Sequence, residues 1–186
     1  MGTEQASIRR AVYPGSFDPP TIAHVHLAQT AISQLGLDRV DFAISSTTLG
    51  KDDSHLTPID DRVDELWAIA EGDDRLGVVI TAHSLLADIA EGYDVIILGA
   101  DKWQQVLDPV WYGDFDARTQ ALLRLPLVAI APRPPWPMPA DDPSAKPPAG
   151  VAVVILDTDP AHHPVSATEV RAGREEWRAT RGQTDK

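Results

Sequence analysis

Two side chains that could bind phosphate follow a tight turn near the start of the chain. Residues 12–27 read VYPGSFDPPTIAHVHL, in which an apolar run leads through a turn rich in Gly and Pro to Thr21 and His24, where a helical pattern begins. The i, i+3 spacing places these two side chains on one face of the first helical turn. Because a helix N-terminus leaves backbone N–H groups unpaired and carries partial positive charge, small and donor residues here suit a polyphosphate. The stretch therefore predicts a phosphate-binding corner.

The other histidines are predicted to have different roles. His26 lies two residues beyond His24, which turns it about 200° around the helix axis. We therefore expect His26 to be structural or exposed to solvent. His55, His162 and His163 have no metal-ligand spacing, so no metal site made of protein side chains is predicted.

Apolar runs alternate with helical patterns along most of the chain. Strands are predicted over residues 8–13, 39–45, 77–81, 94–98, 126–131 and 151–156, and helices over 22–36, from an N-cap at Thr57 to about 70, and over 83–91. Gly36 is predicted to end the first helix. This alternation predicts a Rossmann-like α/β fold, with a doubly wound parallel sheet covered on both faces. Ligands of such sheets bind at the carboxyl ends of the strands, where the candidate residues fall.

Composition limits the classes of protein that the chain can be. Its 186 residues, 43% of them hydrophobic, predict a single domain over 1–186 with a substantial core. Without cysteine and without an apolar run of about 18 residues, the sequence predicts a cytoplasmic protein with no disulfide, membrane span or secretory segment. The net charge of -12 argues against nucleic acid as a partner. Because the negative charge of the protein repels phosphates, a nucleotide would need local cations or Mg²⁺ in order to bind.

Two segments interrupt the regular pattern. Residues 132–150 hold eight of the 16 prolines, which predicts a partly polyproline-like loop rather than a domain boundary. Its length favours an active-site flap or a mobile excursion, with a disordered insertion as the alternative. Residues 175–186 form a short charged tail without an apolar closing segment, and assembly into a homo-oligomer is left open.

Two ordered motifs resemble signatures of one enzyme superfamily. Residues 15–24, GSFDPPTIAH, are similar to the (T/H)xGH motif of nucleotidyltransferases, and residues 166–171, SATEVR, to their S(S/A)TxxR motif. Ala23 departs from the first motif and adds a methyl group where nucleotide would pass close to the backbone. Ser166 and Glu169 also form a capping box, which predicts a helix running to Trp177. The two interpretations are compatible, because an exposed capped N-terminus is itself an anion site.

The resemblance implies transfer of an adenylyl group from Mg-ATP, with Mg²⁺ held mainly by the ATP phosphates. The attacking phosphate oxygen is already anionic, so alignment and charge neutralisation are needed rather than a general base. By resemblance, the backbone of Ser16 and Phe17 approaches the α-phosphate, while the catalytic residues are Thr21, His24 and Arg171. The implied ATP-binding residues are Gly15, Ser16, Phe17, Thr21, His24, Gly99, Asp101, Ser166, Thr168 and Arg171.

Different motifs resemble two families that use different acceptor substrates. Thr21 in the first motif is typical of phosphopantetheine adenylyltransferases. The segments TAHSL at 81–85, LGAD at 98–101, WY at 111–112 and RP at 133–134 instead resemble bacterial nicotinate-nucleotide adenylyltransferases. Four ordered matches outweigh one, so nicotinate mononucleotide is the predicted acceptor. The implied acceptor-binding residues are Lys51, Thr81, Ala82, Trp111, Tyr112 and Arg133.

The resemblance also gives these acceptor residues separate tasks. Backbone N–H groups near Thr81, Ala82 and Tyr112 would bind the nicotinate carboxylate. The Trp111 indole would stack on the cationic pyridine ring. Trp103 is a competing stacker, and either Trp could instead be a core aromatic.

The predicted function is therefore adenylylation of nicotinate mononucleotide by Mg-ATP, which yields deamido-NAD and pyrophosphate. The predicted partners are small molecules only. Three alternatives stay open: phosphopantetheine as acceptor, a cytidylyl donor, and a non-catalytic nucleotide-binding protein, the last favoured by Ala23 and the short tail. Lys51 is expected near substrate phosphate, with a solvated loop lysine as the alternative.

Overall fold

The computed structural model describes residues 8–47 and 56–182, and its centre is a parallel sheet. The six strands are β1 (Arg10–Pro14), β2 (Arg39–Ser45), β3 (Leu76–Thr81), β4 (Val95–Gly99), β5 (Leu127–Ala131) and β6 (Val153–Ile155). They pair in the order β3-β2-β1-β4-β5-β6, and every pairing is parallel. The order reverses between β1 and β4, which is the point where open α/β sheets bind ligands. The predicted Rossmann-like fold is confirmed.

In the described residues, six α-helices accompany the sheet. They are α1 (Ile22–Leu35), α2 (Ile59–Ala70), α3 (Leu86–Ile89), α4 (Ala100–Leu107), α5 (Phe115–Leu123) and α6 (Ala167–Arg171), with single 3₁₀ turns at Pro109–Trp111, Pro143–Ala145, Pro160–His162 and Glu175–Trp177. Gly36 ends α1 in the left-handed conformation, as predicted. Within the described ranges, none of the helices is long and apolar enough to cross a membrane.

Alternate residues of the strands pack on opposite faces of the sheet. In β4, Val95 and Ile97 join the apolar cluster under α1 and α2, whereas Ile96 and Leu98 join the cluster that contains Trp103 of α4. Strands buried on both faces require near-continuous apolar sequence, which is why their runs were visible in the sequence. The two layers of helices leave the carboxyl ends of the strands as the accessible edge.

Several predicted helix limits were wrong. Thr57 is not the N-cap of α2, because the helix begins at Ile59 and Pro58 occupies the N-cap position. The helix predicted over 83–91 forms only at Leu86–Ile89. The helix predicted from Ser166 to Trp177 ends at Arg171, because Gly173 adopts a φ of 113°. α4 and α5 were not predicted.

The proline-rich segment packs against the fold. Trp103 Nε1 donates to the Ala145 carbonyl at 2.7 Å, and Ala145 is fully buried. Met138 also packs against the cluster around Trp103. Residues 132–150 therefore form a packed loop on the α4 side, not a disordered insertion, and a role as an active-site flap stays a prediction.

The C-terminal segment lies between α1 and α2. Ala179 donates its N–H to the Pro20 carbonyl at 3.0 Å, and its buried side chain packs with Val25 and Ile69. Arg178 lies 3.1 Å from Glu65 of α2. The tail thus covers the start of α1 next to the predicted phosphate corner.

Candidate functional site

The turn after β1 has a constrained backbone. Gly15 donates its N–H to the Ala43 carbonyl at 3.1 Å, which keeps the chain beside β2. Phe17 then adopts a φ of 47°, in the left-handed region that non-Gly residues rarely occupy, and its ring folds back over Gly15. A Cβ atom at Gly15 would lie 2.7 Å from Phe17 Cζ, so only glycine fits at that position. Strain of this kind is concentrated at functional sites.

Aromatic rings orient the His24 imidazole. The Phe17 ring meets it edge-on at 5.0 Å between centroids, and Tyr13 lies 6.0 Å away. Phe17 is itself held edge-on against Phe42 at 5.3 Å. The imidazole therefore has little freedom to turn.

Hydrogen bonds fix the tautomer of His24. The backbone N–H of Thr21 donates to His24 Nδ1 at 2.9 Å, and the Thr21 hydroxyl lies 3.0 Å from the same nitrogen. A backbone N–H can only donate, so Nδ1 must be an acceptor and the proton of the neutral ring lies on Nε2. Burial, followed by the charge of Arg133, lowers the pKa of His24 to about 4. His24 is therefore a neutral Nε2–H donor near pH 7.

Thr21 lies behind this donor. It is only 1% exposed, and its hydroxyl is directed at the His24 ring. In this geometry Thr21 positions His24. Its expected direct contact with the triphosphate stays a prediction.

One cleft opens on the β4 and β5 side of the corner, and we call it the histidine cleft. Its lining includes Tyr13, Ala23, His24, Gly99, Arg133, His162 and Val165. The Ala23 side chain thus forms part of its wall, where the family motif has glycine. Arg133 lies here, 3.9 Å from Asp101, and not beside Trp111. β5 ends on the histidine side of β1, so the predicted contact of Arg133 with the acceptor stays a prediction.

His26 and His162 support the histidine cleft from the side. His26 Nε2 accepts the backbone N–H of Asp159 at 3.0 Å. Its ring stacks on that of His162 at 4.1 Å, with an interplanar angle of 7°. His26 is therefore structural, while His162 lines the cleft and was not singled out from the sequence.

A second cavity opens on the β2 and β3 side, and we call it the tryptophan cavity. Its lining includes Gly15, Ser16, Arg62, Leu86, Ile89, Lys102, Val106, Trp111 and Tyr112. Asp108 caps the 3₁₀ turn that carries Trp111, accepting the Val110 N–H at 3.0 Å. Trp103 is fully buried, so it is a core residue and cannot be the competing stacker. Trp111 is the indole that reaches this cavity.

The backbone N–H groups that are expected to bind the nicotinate carboxylate lie at different places relative to this cavity. The N–H of Tyr112 donates to the Pro109 carbonyl at 2.9 Å within its own turn, so it is already used. Thr81 and Ala82 precede the segment that forms the wall, which is Ser84, Leu85 and Leu86. The contact of Thr81 and Ala82 with the acceptor stays a prediction.

Arg62 is a site residue that the sequence interpretation missed. It is 7% exposed, and it donates from Nη1 to the Ser16 carbonyl at 2.7 Å as well as from Nε to Thr57. The pattern that could have revealed it is an arginine beside Val63 in the inward stripe of α2. Lys51 lies outside the described residues.

The two motifs meet at Arg171. Its Nη1 donates to the Asp18 carbonyl, and its Nη2 donates to Thr168 Oγ1 at 3.3 Å. The Asp18 carboxylate is nearly buried and lies 3.8 Å from the same guanidinium. Ser166 caps α6 by accepting the Glu169 N–H at 3.2 Å. The two ends of the chain thus form one corner, as the paired motifs require.

The side chains at this corner are compatible with a metal ion that is bound mainly by the phosphates of a ligand. In the part of the chain that the structure describes, no three His, Cys, Asp or Glu side chains cluster to hold a metal ion. Asp101 presents one part-exposed carboxylate after the end of β4. Mg²⁺ commonly uses one or two carboxylates together with substrate phosphates, so this set is compatible with it.

Curated relatives have a consistent description. The chain is 38% identical over 71 residues to a probable nicotinate-nucleotide adenylyltransferase of Methylorubrum extorquens strain PA1, covering 38% of each chain. It is 32% identical over 111 residues to that of Listeria monocytogenes strain HCC23, covering 53% of this chain and 58% of the relative. It is 28% identical over 138 residues to that of Rhizobium meliloti strain 1021, covering 62% of this chain and 73% of the relative. The match thus spans about two fifths to three quarters of these relatives.

A solved structure shares the fold. It is described as Plasmodium falciparum nicotinic acid mononucleotide adenylyltransferase complexed with NaAD, and it aligns with a TM-score of 0.60 at 18% identity. The alignment covers 88% of this chain and 82% of that one.

The sequence model of one family accounts for most of the chain. The model described as cytidylyltransferase-like matches residues 12–173, which contain both motifs and all six strands except the start of β1. The resemblance predicted from the motifs is confirmed. The chain therefore belongs to the cytidylyltransferase-like family of nucleotidyltransferases.

Proposed function

We propose that the protein transfers AMP from Mg-ATP to nicotinate mononucleotide, giving deamido-NAD and pyrophosphate. The observation that carries the proposal is a pair of clefts on either side of the Gly15–Phe17 turn, one with a neutral His24 donor and the other with an accessible Trp111. ATP occupies the histidine cleft and the acceptor occupies the tryptophan cavity. The names of the curated relatives support this choice of acceptor.

The reaction needs alignment more than acid-base chemistry. An oxygen of the acceptor phosphate attacks the α-phosphorus of ATP, the bond from that phosphorus to the bridging oxygen breaks, and pyrophosphate leaves with the electron pair. His24 Nε2–H donates to the charge that develops on the transferred phosphoryl group. A donor fixed in a partly buried site stabilises such charge without reorganising, which is how preorganised sites lower barriers.

Cationic and polar groups hold the remaining phosphates. Arg171, with Ser166 and Thr168, binds the far end of the triphosphate from the α6 side. When bound, Mg²⁺ neutralises the phosphates and polarises the leaving group. Asp101 would bind that ion or a ribose hydroxyl.

The acceptor is recognised through its ring. The indole of Trp111 stacks on the cationic pyridine, a contact worth on the order of 0.5 to 2 kcal/mol. Leu86, Ile89 and Val106 provide apolar walls for that ring. Arg62 keeps the Ser16 carbonyl in place on the side where the acceptor phosphate enters.

Pyrophosphate release tests the proposal. The protein is incubated with Mg-ATP and, in separate reactions, nicotinate mononucleotide or 4′-phosphopantetheine, with Mg-CTP as an alternative donor. We expect release only with ATP and nicotinate mononucleotide, together with the mass of deamido-NAD in the product. Turnover with phosphopantetheine alone would reassign the acceptor. ATP binding by calorimetry without turnover of any acceptor would indicate a non-catalytic protein.

A further inference from the structure

Tyr13, near the carboxyl end of β1, has a hydroxyl group that the fold does not use. The residue is only 8% exposed. Its ring packs edge-on against Phe17 at 5.5 Å between centroids and lies 5.8 Å from the ring of Phe42. Within the ranges that the structure describes, the Tyr13 hydroxyl makes no hydrogen bond. Buried side chains with an unused polar group are uncommon in folded proteins, so this hydroxyl calls for an explanation.

The Tyr13 side chain forms part of the histidine cleft. Gly99 and Arg133 line the same cleft, at the ends of β4 and β5. The aromatic neighbours enclose the ring of Tyr13, whereas its hydroxyl keeps contact with solvent through the cleft. β1 and β4 are the strands between which the strand order reverses, and open α/β sheets bind their ligands at that point. Tyr13 therefore presents its hydroxyl to a ligand in the cleft.

Tyr13 offers such a ligand an uncharged donor. Burial raises the pKa of the Tyr13 hydroxyl well above its ordinary value of 10, although the charge of Arg133 acts in the opposite direction. The phenol therefore keeps its proton near pH 7 and, like His24, donates without carrying charge. The Tyr13 and His24 rings lie 6.0 Å apart in the lining of this cleft, so a single phosphate group can contact both.

We propose that Tyr13 is a further nucleotide-binding residue, whose hydroxyl donates a hydrogen bond to an oxygen of the ATP α-phosphate beside His24. The proposal rests on the proposed function, which places ATP in the histidine cleft. An anionic phosphate oxygen suits a lone neutral donor, because hydrogen bonds to charged acceptors are roughly twice as strong as those between neutral groups. The bond would also give the Tyr13 hydroxyl the partner that the described part of the fold does not supply.

Removal of one oxygen atom tests the contact. Tyr13→Phe keeps the ring that packs beside His24, so the imidazole stays oriented. Tyr93→Phe is the matched control, because it also removes a phenol hydroxyl, but Tyr93 donates to Asp41 at 3.1 Å and does not line the cleft. Titration calorimetry without an acceptor measures the affinity of the wild type and both variants for Mg-ATP. Urea unfolding of the same proteins measures their stability.

The two diastereomers of ATPαS identify the atom that accepts the bond. Each has sulfur in place of one of the two non-bridging oxygens of the α-phosphate, and sulfur is a weak acceptor. Their affinities for the wild type and for Tyr13→Phe are measured in the same way. A contact of Tyr13 with the ribose or with the base would be unaffected by either replacement.

The expected result is a loss of affinity that depends on one phosphate oxygen. Tyr13→Phe should weaken Mg-ATP binding by about 10- to 100-fold, as expected for loss of a hydrogen bond to a charged group, and Tyr93→Phe by less than about threefold. With one diastereomer of ATPαS, the wild type and Tyr13→Phe should bind within about threefold of each other, because the wild type has already lost the bond. The urea midpoint of Tyr13→Phe should not fall, since the hydroxyl holds no described part of the fold.

Four results would overturn the role of Tyr13. They are a wild type that does not bind Mg-ATP, an unchanged affinity in Tyr13→Phe, an equal loss in Tyr93→Phe, and a full loss in Tyr13→Phe with both diastereomers. A lower urea midpoint in Tyr13→Phe would indicate a structural role instead.

Failure of the transfer reaction would look different. If Tyr13→Phe weakens Mg-ATP binding as expected and the wild type releases no pyrophosphate with any acceptor, the phosphate contact stands and the transfer reaction is contradicted. If the wild type releases pyrophosphate with nicotinate mononucleotide and Tyr13→Phe binds Mg-ATP as the wild type does, the transfer reaction stands and the role of Tyr13 is contradicted.

Discussion

The backbone N–H of Thr21 donates to Nδ1 of His24 across 2.9 Å, and this bond decides which nitrogen of the ring carries the proton. The sequence motif places the two residues three apart. The structure adds that Thr21 is buried behind the ring, so the pair acts as one donor aimed from Nε2.

Replacing His24 should affect the chemical step more than ATP binding. A donor to developing charge acts mainly in the transition state, so His24→Ala should lower kcat by roughly 100- to 1,000-fold, with the KM for ATP within about threefold of wild type. Steady-state kinetics measure both values. His24→Asn, whose side-chain oxygen can still accept from Thr21, should lose as much kcat. Ser33→Ala, at an exposed position on the same helix, should stay near wild type, and equal losses in kcat and ATP affinity for His24→Ala would contradict the donor role.

The free energy of unfolding should fall in acid because of His24. Its pKa of about 4 in the folded protein is below the ordinary value of 6.5, so between these pH values the unfolded chain binds a proton that the folded chain does not. The stabilisation is therefore complete above about pH 6.5 and is lost as the pH falls towards 4, by up to about 3 kcal/mol. Urea unfolding of wild type and His24→Asn at a series of pH values measures it. The advantage of the wild type should shrink on acidification, and a constant difference would mean that the His24 pKa is not lowered.

Arg62 should stabilise the corner through two backbone carbonyls. Arg62→Met leaves the Ser16 and Thr57 carbonyls without their guanidinium partner, so we expect a loss of about 2 to 4 kcal/mol in the free energy of unfolding. Turnover should fall as well, because Ser16 borders the acceptor. Arg181→Met breaks an exposed pair with Glu71 and should cost at most about 1 kcal/mol. Denaturant unfolding compares the two, and similar losses would mean that Arg62 does not hold the corner.

Trp111 should act on the acceptor and not on ATP. Trp111→Ala removes the stacking face, so the KM for nicotinate mononucleotide should rise by about 2- to 30-fold, while the KM for ATP changes little. Trp67→Ala, which removes a half-exposed indole on α2 that does not line the cavity, serves as the control. An unchanged KM for nicotinate mononucleotide would mean that the pyridine ring does not bind in this cavity. Trp103 could not take over the role of Trp111, because it is buried.

The sheet was predictable from the sequence because each strand is buried on both faces. β2 has the predicted limits, and the other strands were recognised from β-branched runs such as Val95–Gly99. α4 escaped prediction because it begins directly after β4, with Gly99 as its N-cap and no loop to mark the change. Its apolar stripe of Trp103, Val106 and Leu107 was too short to be read as a helix.

The residues of the site were predictable from the sequence only where they belong to a recognisable motif. His24 and Arg171 belong to recognisable motifs, whereas Arg62 is a single residue whose contact with Ser16 becomes evident only once the helices are placed. Arg133 was assigned to the acceptor by resemblance, but its position beside the histidine cleft follows from the strand order, which the sequence does not reveal.

The central claim is that AMP is joined to the acceptor at the Gly15–Phe17 turn, between the histidine cleft and the tryptophan cavity. A crystal structure with deamido-NAD tests it most directly, because that dinucleotide contains both halves of the product. We predict that the pyridine ring stacks on Trp111, and that the adenylyl phosphate lies within hydrogen-bonding distance of His24 Nε2. A dinucleotide whose phosphates lie away from His24, or whose two halves share one cleft, would contradict the account.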